Sequence, residues 1–366
     1  MKQNMKNRQI RNVRVIAFYL PQFHPIPEND KWYGKGFTEW TNVGRAKPLF
    51  KGHYQPRIPA DLGYYDLRLP EVREQQAELA KEYGIEGFCY WHYWFGDGRT
   101  ILEKPFLEVL KTNKPDFPFC LAWANHSWFK KTWDNKSKDR LLLEQKYLGA
   151  EDNRKHFFSL LPAFKDERYI KVNNKLFFVI YAPFDMPGIS DFIEQWNLLA
   201  KENGFDGFYF VAQGAMKDKS KIISLGFDAI YTAVLTIYEQ LGLIPKSIKY
   251  LKKKIFRIPV SYTYSQALDF YCKTLDSDIK TIPSIIPNWD HSPRSGTNGF
   301  ILTKSTPKIF YKYLKIIMSF IKDKPKDERI LFLRSWNEWG EGNYIEPDLK
   351  YGRGYLEALK RALDEF

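Results

Sequence analysis

Glu338 and Glu341 stand three residues apart near the end of the chain, among two tryptophans and two glycines. The apolar run 330–333 shortly before them is typical of a short β-strand. Cleavage of an acetal bond needs one acid and one base or nucleophile, and a pair of carboxylates supplies both. Aromatic rings beside carboxylates suit a sugar, which has apolar faces and polar edges. The pair therefore predicts a catalytic site for glycans. The plainer alternative is a solvated acidic loop packed on tryptophan.

Strand-like and helix-like segments alternate along nearly the whole chain. The predicted strands are residues 13–20, 87–94, 117–125, 176–181, 208–212, 228–232, 282–289 and 330–333. The predicted helices are residues 70–83, 105–113, 152–164, 189–203, 265–274, 307–321 and 355–366. Near-continuous apolar strands between helices predict an all-parallel sheet with both faces covered. Eight units of about 45 residues favour an α/β fold with a single closed (β/α)8 TIM barrel over an open doubly wound sheet.

The connection after the first strand, residues 22–67, is rich in glycine, proline and aromatic residues. Ordinary connections are much shorter, so we expect a functional loop that lies over the C-terminal mouth of the barrel. The sequence shows no linker and no internal repeat. We therefore divide it into a basic N-terminal arm, residues 1–12, and one catalytic domain, residues 13–366.

The carboxyl ends of the predicted strands are rich in aromatic, amide and histidine side chains, and active sites of such barrels form there. Taken singly, each of these residues is more often a packing residue than a ligand contact. Their coincidence at seven of the eight strand ends favours a sugar-binding mouth. The candidate substrate-binding residues at these ends are Tyr19, Gln22, His24, Tyr90, His92, Trp94, Trp123, Asn125, His126, Trp128, Tyr181, Gln213, Trp289, Trp336 and Asn337.

Several other kinds of site are disfavoured by motifs that the sequence lacks. It has no G-x-G-x-x-G after strand one for a dinucleotide, no G-x-S-x-G nucleophile elbow, and no D-x-D motif of the common nucleotide-sugar glycosyltransferases. His24, His92 and His126 lack the spacing of H-E-x-x-H, and the three cysteines lack C-x-x-C spacing. We therefore expect no cofactor, no metal and no disulfide framework, and a reducing compartment.

The formal net charge of +13 predicts an acidic partner, such as a membrane surface, a phosphate-linked substrate or nucleic acid. Six cations fall between Lys246 and Arg257, interleaved with apolar residues. We expect this segment to contact anionic lipid or a lipid-linked pyrophosphate substrate, and a solvated basic face is the alternative. No nucleic-acid-binding motif accompanies the charge, so we expect no nucleic-acid partner. Residues 1–14 lack the apolar segment of a secretory signal. A cytoplasmic location, peripheral to the inner face of the membrane, is therefore expected.

Six longer motifs run along the chain. They are A-F-Y-L-P-Q-F-H-P at 17–25, G-F-T-E-W-T-N-V at 36–43, G-H-Y-Q-P at 52–56, D-L-G-Y-Y-D at 61–66, G-F-C-Y-W-H-Y-W-F at 87–95 and W-N-E-W at 336–339. Together they resemble the WbsX-like family of bacterial surface-polysaccharide clusters, which is usually labelled glycosyltransferase. That family is similar to glycoside hydrolase family 99, the endo-α-1,2-mannosidases and mannanases on a (β/α)8 barrel. The second motif adds Glu39 and Trp40 to the candidate substrate-binding residues.

In that hydrolase family, the E-W-x-E stretch after strand eight carries both catalytic carboxylates, which correspond here to Glu338 and Glu341. The resemblance implies a retaining reaction without a glycosyl-enzyme ester, an exception to the ordinary two-carboxylate scheme. Glu338 would deprotonate the sugar 2-hydroxyl, which attacks its own anomeric carbon. Glu341 would protonate the leaving oxygen and then act as a base on the incoming hydroxyl. One carboxyl must then be neutral while its neighbour is ionised, and two close acids in an aromatic pocket separate their pKa values in this way.

One position departs from the family pattern, because W-A-N-E-N-W is here W-A-N-H-S-W and His126 replaces an acid. The exchange suits an acidic sugar if the family's acid contacts substrate. The leading interpretation is an enzyme that cleaves or transfers an α-linked glycan of a surface polysaccharide (O-antigen or capsule), acting on an oligosaccharide or a lipid-linked glycan. The alternatives are a biosynthetic glycosyltransferase of lipopolysaccharide or capsule assembly and a non-catalytic glycan-binding barrel. The paired glutamates argue against the last.

Overall fold

The structure is a computed structural model that describes residues 12–130, 139–232 and 258–366. The basic N-terminal arm, apart from residue 12, and the basic segment between Lys246 and Arg257 lie outside the described residues. The expectations for these two segments therefore stay predictions. Within the described ranges, none of the helices combines the length and the apolar character that crossing a membrane requires.

Eight parallel strand positions form one closed ring, which confirms the predicted (β/α)8 barrel. The strands are Arg14–Tyr19, Gly87–His92, Phe119–Trp123, Lys175–Ile180, Phe208–Gln213, Ala229–Tyr231, Thr281–Ile282 with Ser284–Ile285, and Ile330–Leu333. Each strand pairs in parallel with the next, and strand eight pairs with strand one. Pro283, which has no backbone N–H, divides strand seven. The first half of strand seven pairs with strand six and the second half pairs with strand eight.

The barrel strands bury both of their faces. Inside the ring, Phe18 packs on Tyr231 and Phe332 with ring centroids 5.3 and 4.9 Å apart. On the outside, Tyr19 donates from its hydroxyl to Gln76 Oε1 at 2.6 Å, and Gln76 belongs to a surrounding helix. Successive residues of a strand point to opposite faces. The position of a residue along its strand therefore decides whether its side chain faces the inside of the barrel or the helices.

Helices between the strands cover the outside of the ring. They are Pro70–Glu82, Lys104–Thr112, Ala150–Phe164, Ile189–Glu202, Lys219–Ser224, Tyr264–Thr274, Pro307–Ser319 and Gly354–Asp364. The predicted helices are found with ends shifted by no more than two residues, and 219–224 is an additional short helix. Thr263 and Thr306 cap two of the helices with their side chains, which satisfies backbone N–H groups of the first turn.

The long loop after strand one lies over the C-terminal mouth, as predicted. It contains two short helices that the sequence did not indicate, Pro27–Tyr33 and Glu39–Gly44. Its far end is held to the segment after strand eight, because Ala60 N donates to Pro347 O at 2.9 Å. This loop brings Glu39 against the turn that carries the two predicted catalytic glutamates.

A hairpin that was not predicted forms a second cover over the mouth. Trp128–Lys130 pairs antiparallel with Arg140–Leu143. The ring of Trp128 lies 5.9 Å from that of Trp32 in the long loop. The nitrogen Nζ of Lys130 donates to Trp32 O at 3.1 Å. This pair of strands is therefore in direct contact with the long loop.

Candidate active site

The segment after strand eight is a tight hairpin. Asn337–Glu338 pairs antiparallel with Asn343–Tyr344, and Trp339–Glu341 forms a single 3-10 turn between them. The side chain of Asn337 accepts from Leu20 N at 2.7 Å and donates to Leu20 O at 3.0 Å. These two bonds fix the hairpin to the end of strand one. The turn thereby carries its carboxylates at the C-terminal mouth of the barrel.

One guanidinium joins the carboxyl groups of Glu338 and Glu341. Arg294 Nη1 donates to Glu341 Oε1 at 2.5 Å, and Nη2 donates to Glu338 Oε1 at 2.6 Å. Arg294 Nε donates to Glu39 Oε2 at 3.1 Å, so three glutamates surround this arginine. Because the carboxyl oxygens of Glu338 and Glu341 contact the same guanidinium, they lie less than about 9.5 Å apart, which is the upper limit for two acids that flank a glycosidic bond. Within the described residues, no set of three His, Cys, Asp or Glu side chains is arranged to hold a metal ion.

Glycines on both sides of Glu341 allow this cluster to close. A Cβ at position 340 would overlap Glu39 Oε2 and lie 2.9 Å from Arg294 Nε. Gly342 has a φ of +57°, a conformation that favours glycine, and a Cβ there would lie 2.8 Å from Asp290 Cβ. Any larger residue at these two positions would push the turn Trp339–Glu341 away from its partners.

The environments of the two paired glutamates differ. Burial raises the pKa of Glu338 to about 8; Arg294 opposes this shift, and the carboxylates of Glu341 and Glu39 add to it. The Glu338 side chain is 8% exposed and that of Glu341 is 16% exposed. Tyr93 is buried beside the same cluster, and its pKa is raised mainly by burial. A raised pKa on one member of a close pair of acids brings its proton uptake and release nearer to neutral pH, which suits acid–base chemistry.

Glu338→Gln should stabilise the protein at pH 8. The ordinary pKa of a glutamate is 4.5, whereas the folded Glu338 keeps its proton to about pH 8. Stability is therefore lost as the pH rises from about 4.5 to about 8, because only the unfolded chain releases this proton easily. The amide has no proton to lose. The free energy of unfolding of the variant should exceed that of the wild type at pH 8 by on the order of a few kcal/mol, and match it at pH 4.

Urea unfolding of the wild type and of Glu338→Gln at pH 4 and pH 8 checks this prediction. Glu71→Gln, which removes an exposed carboxyl from the surface, is the control and should keep the wild-type pH dependence. A gap between Glu338→Gln and the wild type that is the same at both pH values would contradict the prediction.

The buried acid Glu346 holds Trp339 of the segment after strand eight in place. Glu346 Oε2 accepts from Trp339 Nε1 at 2.6 Å and from the Tyr65 hydroxyl at 2.8 Å, and Oε1 accepts from Gln76 Nε2 at 2.6 Å. Burial raises the pKa of Glu346 to about 7, and these three donors oppose the shift. Glu346 faces this support and not the carboxylate cluster. Glu346 therefore supports the turn Trp339–Glu341.

Asp290 ties the long loop to the turn Trp339–Glu341. Its Oδ2 accepts from Gln55 Nε2 at 2.7 Å and from His53 Nε2 at 2.8 Å, and Arg57 Nη2 lies 3.8 Å away. Its backbone N donates to Glu341 O at 2.6 Å. Burial alone would raise the pKa of Asp290, but the hydrogen bond from His53 and the charge of Arg57 lower it to about 2. Asp290 is therefore an ionised, buried link between two segments of the site.

Four of the predicted sugar-binding residues lie half-buried around the mouth. They are His126, Trp128, Tyr181 and Gln213. The rings of His126 and Tyr181 face each other with centroids 5.1 Å apart. These four remain our candidates for contacts with a sugar beyond the carboxylate cluster.

Two predicted tryptophans pack behind the cluster. The ring of Trp40 lies 5.5 Å from that of Trp339, and Trp289 stacks on His291 at 6.1 Å. His291 Nε2 lies 3.8 Å from Glu341 Oε1. Burial lowers the pKa of His291, and Glu341 opposes this shift. Trp40 and Trp289 thus hold other site residues in place.

Six predicted residues lie in the buried layer between the barrel and its helices. They are Tyr19, Tyr90, His92, Trp94, Trp123 and Trp336. His92 Nε2 and His156 Nε2 share a hydrogen bond of 2.8 Å, and Trp94 stacks on His156 of the helix Ala150–Phe164. Because strand residues alternate between two faces, the neighbours Phe18 and Trp91 point inward instead. We do not carry these six forward as sugar contacts.

Four predicted residues are buried anchors of strand ends and loops. Asn125 accepts from Ala182 N at 2.7 Å and donates to Ala182 O at 2.8 Å, which joins strands three and four. Gln22 O accepts from Glu39 N at 3.2 Å. His24 Nδ1 lies 3.0 Å from Pro21 O, and burial lowers its pKa to about 4. The fourth is the hairpin anchor Asn337. These four residues hold strand ends and loops at the mouth in place.

Sequence reasoning missed Arg294 and Tyr93. Arg294 belongs to the short helix Ser292–Ser295, which follows strand seven after residues 286–291 and has a proline in its first turn. The polar segment after this strand is the signal that could have indicated Arg294. Tyr93 lies inside the motif 87–95 next to residues that were selected. Periodicity does not distinguish its side chain from those neighbours.

Comparison with protein families gives a match over nearly the whole barrel. The family model described as Glycosyltransferase WbsX matches residues 15–359. Two curated relatives from Xanthomonas campestris pv. campestris, each described as Uncharacterized protein WxcX, are 35% identical over 367 and 354 residues. Each alignment covers 95% of this chain and 49% of the relative. The chain thus spans about half the length of the curated relatives it matches.

Solved structures share the fold of the chain. The family 99 endo-α-mannosidase from Bacteroides thetaiotaomicron has a TM-score of 0.56 at 15% identity, with 96% of both chains covered. A protein described as Glycoside hydrolase-like protein has a TM-score of 0.56 at 14% identity, covering 96% of this chain and 94% of its own. At these identities, the likeness concerns the barrel architecture alone.

Proposed function

Because the chain belongs to the WbsX glycosyltransferase family, we propose that it is an enzyme that cleaves or transfers an α-linked glycan of a bacterial surface polysaccharide. The observation that carries this proposal is the pair Glu338 and Glu341, held on Arg294 at the C-terminal mouth. Enzymes with this barrel act at that end. The chain also shares its barrel architecture with a family 99 endo-α-mannosidase.

In the first step, the sugar's own 2-hydroxyl is the nucleophile. Glu338 takes the proton of that hydroxyl, whose oxygen bonds to the anomeric carbon. The bond from the anomeric carbon to the leaving oxygen breaks, and Glu341 gives its proton to that oxygen. The sugar is left as a three-membered cyclic ether with inverted anomeric configuration.

In the second step, the acceptor opens this ring. Glu341 takes a proton from water or from a sugar hydroxyl, and the acceptor oxygen bonds to the anomeric carbon. The bond between that carbon and the 2-oxygen breaks, and Glu338 returns its proton to the 2-oxygen. Two inversions give overall retention, and both carboxyls regain their starting states.

The surroundings of Glu338 suit the role of base. This role needs the ionised form of Glu338, and the fraction of that form grows as the pH approaches about 8. Once ionised, a carboxylate with such a raised pKa accepts a proton from a hydroxyl more readily than an ordinary carboxylate does. Arg294 contacts both carboxyls, so it stabilises negative charge on whichever of them is ionised. The guanidinium thus serves both halves of the reaction.

The proposal is tested with the lipid-linked oligosaccharide of the same polysaccharide pathway, incubated in ¹⁸O-labelled water and followed by mass spectrometry. Hydrolysis should give a shortened glycan with ¹⁸O at its new reducing end. Transfer, which the family description favours, should give a rearranged or lengthened glycan without the label. A substrate that stays unchanged with and without added acceptor sugars would refute both forms of the proposal.

A further inference from the structure

Arg334 follows strand eight, and its side chain reaches across the mouth. Its Nη1 donates to Gln213 Oε1 at 3.1 Å, and Gln213 is the last residue of strand five. Strands six and seven stand between strands five and eight in the ring. A bond between the ends of two such distant strands must pass over the inside of the barrel. The guanidinium therefore lies over the interior, on the Gln213 oxygen that also accepts from the Tyr231 hydroxyl.

The two arginines of the mouth have different partners. Arg294 is bound by three carboxylates. Arg334 pairs with no carboxylate among residues 12–130, 139–232 and 258–366, and its side-chain partner there is Gln213. A guanidinium has five N–H donors and keeps its charge at every physiological pH. The half-buried Arg334 thus brings a positive charge to the mouth, and most of its donors have no partner among the described residues.

The wall next to Arg334 is neutral or basic in character. The ionisable groups that act on the charge of Arg334 are Tyr231 and Tyr181, followed by Glu341 and Glu338. The ring of His126 lies 5.1 Å from that of Tyr181 and continues this wall. Among the described residues, Glu39, Glu338 and Glu341 instead contact Arg294. The described part of the mouth therefore has one arginine surrounded by carboxylates and a second arginine, Arg334, that contacts none of them.

We propose that Arg334 binds a negatively charged oxygen group, a carboxylate or a phosphate, on a sugar next to the bond that Glu338 and Glu341 act on. This inference rests on the proposed function for the glycan and adds that the glycan is acidic. The planar fork of a guanidinium matches the paired oxygens of such groups. A neutral sugar at this place would displace the water around the guanidinium of Arg334 without supplying a negative charge. Such desolvation of an unpaired charge costs free energy.

Binding of defined probes, followed by NMR of guanidinium-labelled protein, tests the inference. The probes are α-1,4-linked trigalacturonate, its carboxyl-reduced form, mannose 6-phosphate and inorganic phosphate. The Arg334 signal is assigned by its loss in Arg334→Gln. We expect trigalacturonate to shift this signal and to bind about 10- to 100-fold more tightly than its reduced form, the range expected for a charge-assisted pair. A shift with the two phosphates alone would assign the bound group as a phosphate.

Variants separate the role of Arg334 from general effects. Arg334→Gln should lose the preference for the acidic probe, and Arg334→Lys, which keeps the charge without the fork, should retain part of it. Arg353→Gln removes an exposed arginine paired with Asp61 and should keep the full preference. Thermal melting confirms that each variant is folded.

Two results would overturn the inference. One is an Arg334 signal that moves with none of the acidic probes. The other is an acidic preference that survives in Arg334→Gln. Both are equilibrium binding measurements, so they do not depend on whether the protein cleaves or transfers the lipid-linked oligosaccharide. Failure of the proposed function and failure of this inference are therefore distinguishable.

Discussion

Glu338→Gln and Glu341→Gln should each lower the turnover of a confirmed glycan substrate by about 10²- to 10⁴-fold, the range of general acid–base help. Glutamine keeps the size of the side chain, but it neither takes nor gives the proton that the reaction moves. Both variants should still bind the glycan, because Arg294 and the walls of the mouth remain. Initial rates and equilibrium binding, measured on the same preparations, check the two halves of this prediction.

The leaving group can separate the roles of the two acids. Fluoride departs from a glycosyl fluoride without being protonated, and azide attacks without losing a proton. With these two reagents, Glu341→Gln should regain activity, because neither task of Glu341 is then needed. Glu338→Gln should stay inactive, because the 2-hydroxyl still needs a base. Rescue of Glu338→Gln in place of Glu341→Gln would reverse the assignment of acid and base.

Two further glutamates serve as controls. Glu39→Gln and Glu346→Gln should reduce turnover less, because Glu39 contacts Arg294 and Glu346 supports Trp339. Thermal melting of all four variants shows whether each is folded. If Glu338→Gln and Glu341→Gln both keep near-full activity, the chemistry lies elsewhere in the mouth of the barrel.

Asp290→Asn should cost about 3 to 5 kcal/mol of unfolding free energy at pH 7, the usual result of removing one partner of a buried ion pair. The asparagine cannot match the charge of the buried Arg57, and its amide group meets donors of His53 and Gln55. Urea unfolding measures the loss. Turnover should fall as well, because the link from Asp290 to the backbone of Glu341 would loosen.

The same residue gives a pH dependence with a definite sign. The pKa of Asp290 falls from 3.8 to about 2 on folding. A group with a lowered pKa contributes stability above its unfolded pKa and loses it as the pH falls through its folded pKa. Asp290 should therefore contribute about 2 kcal/mol that disappears between pH 4 and pH 2. The gap in stability between wild type and Asp290→Asn should narrow over that range.

Asp61→Asn is the matched control for Asp290→Asn. Asp61 also pairs with an arginine, Arg353, at 2.7 Å, but the two side chains are 33% and 43% exposed. Exposed pairs of this kind contribute about 0 to 1 kcal/mol. A loss in Asp290→Asn no larger than that in Asp61→Asn would show that Asp290 is not the link described above.

The order and number of the barrel strands were determined by the sequence alone. Apolar strands such as 176–181 alternate with helices whose apolar residues recur at helical spacing, and these local patterns do not depend on distant parts of the chain. The (β/α)8 prediction is therefore correct. Short elements such as Pro27–Tyr33 and Trp128–Lys130 were not predicted, because so few residues show no clear hydrophobic periodicity.

Selection of residues at strand ends was less successful, and the reason is the two-residue period of a strand. Tyr90 and His92 face the helices, whereas Trp91 between them faces the inside of the barrel. Because all three side chains carry aromatic rings, the sequence does not show which of them face the helices and which face the inside of the barrel. The packed structure decides it, because the helix layer can accept only one of the two sets.

The sequence by itself also placed Glu338 and Glu341 together, since three residues across a turn keep two side chains close. Their surroundings were decided by the tertiary structure alone. Closure of the ring brings Arg294 to Glu39, which is 255 residues away, and to both members of the pair. The raised pKa of Glu338 likewise comes from burial under segments distant in the chain. Local spacing can specify which acids meet, but their charge and hydrogen bonds depend on which distant residues remove them from water.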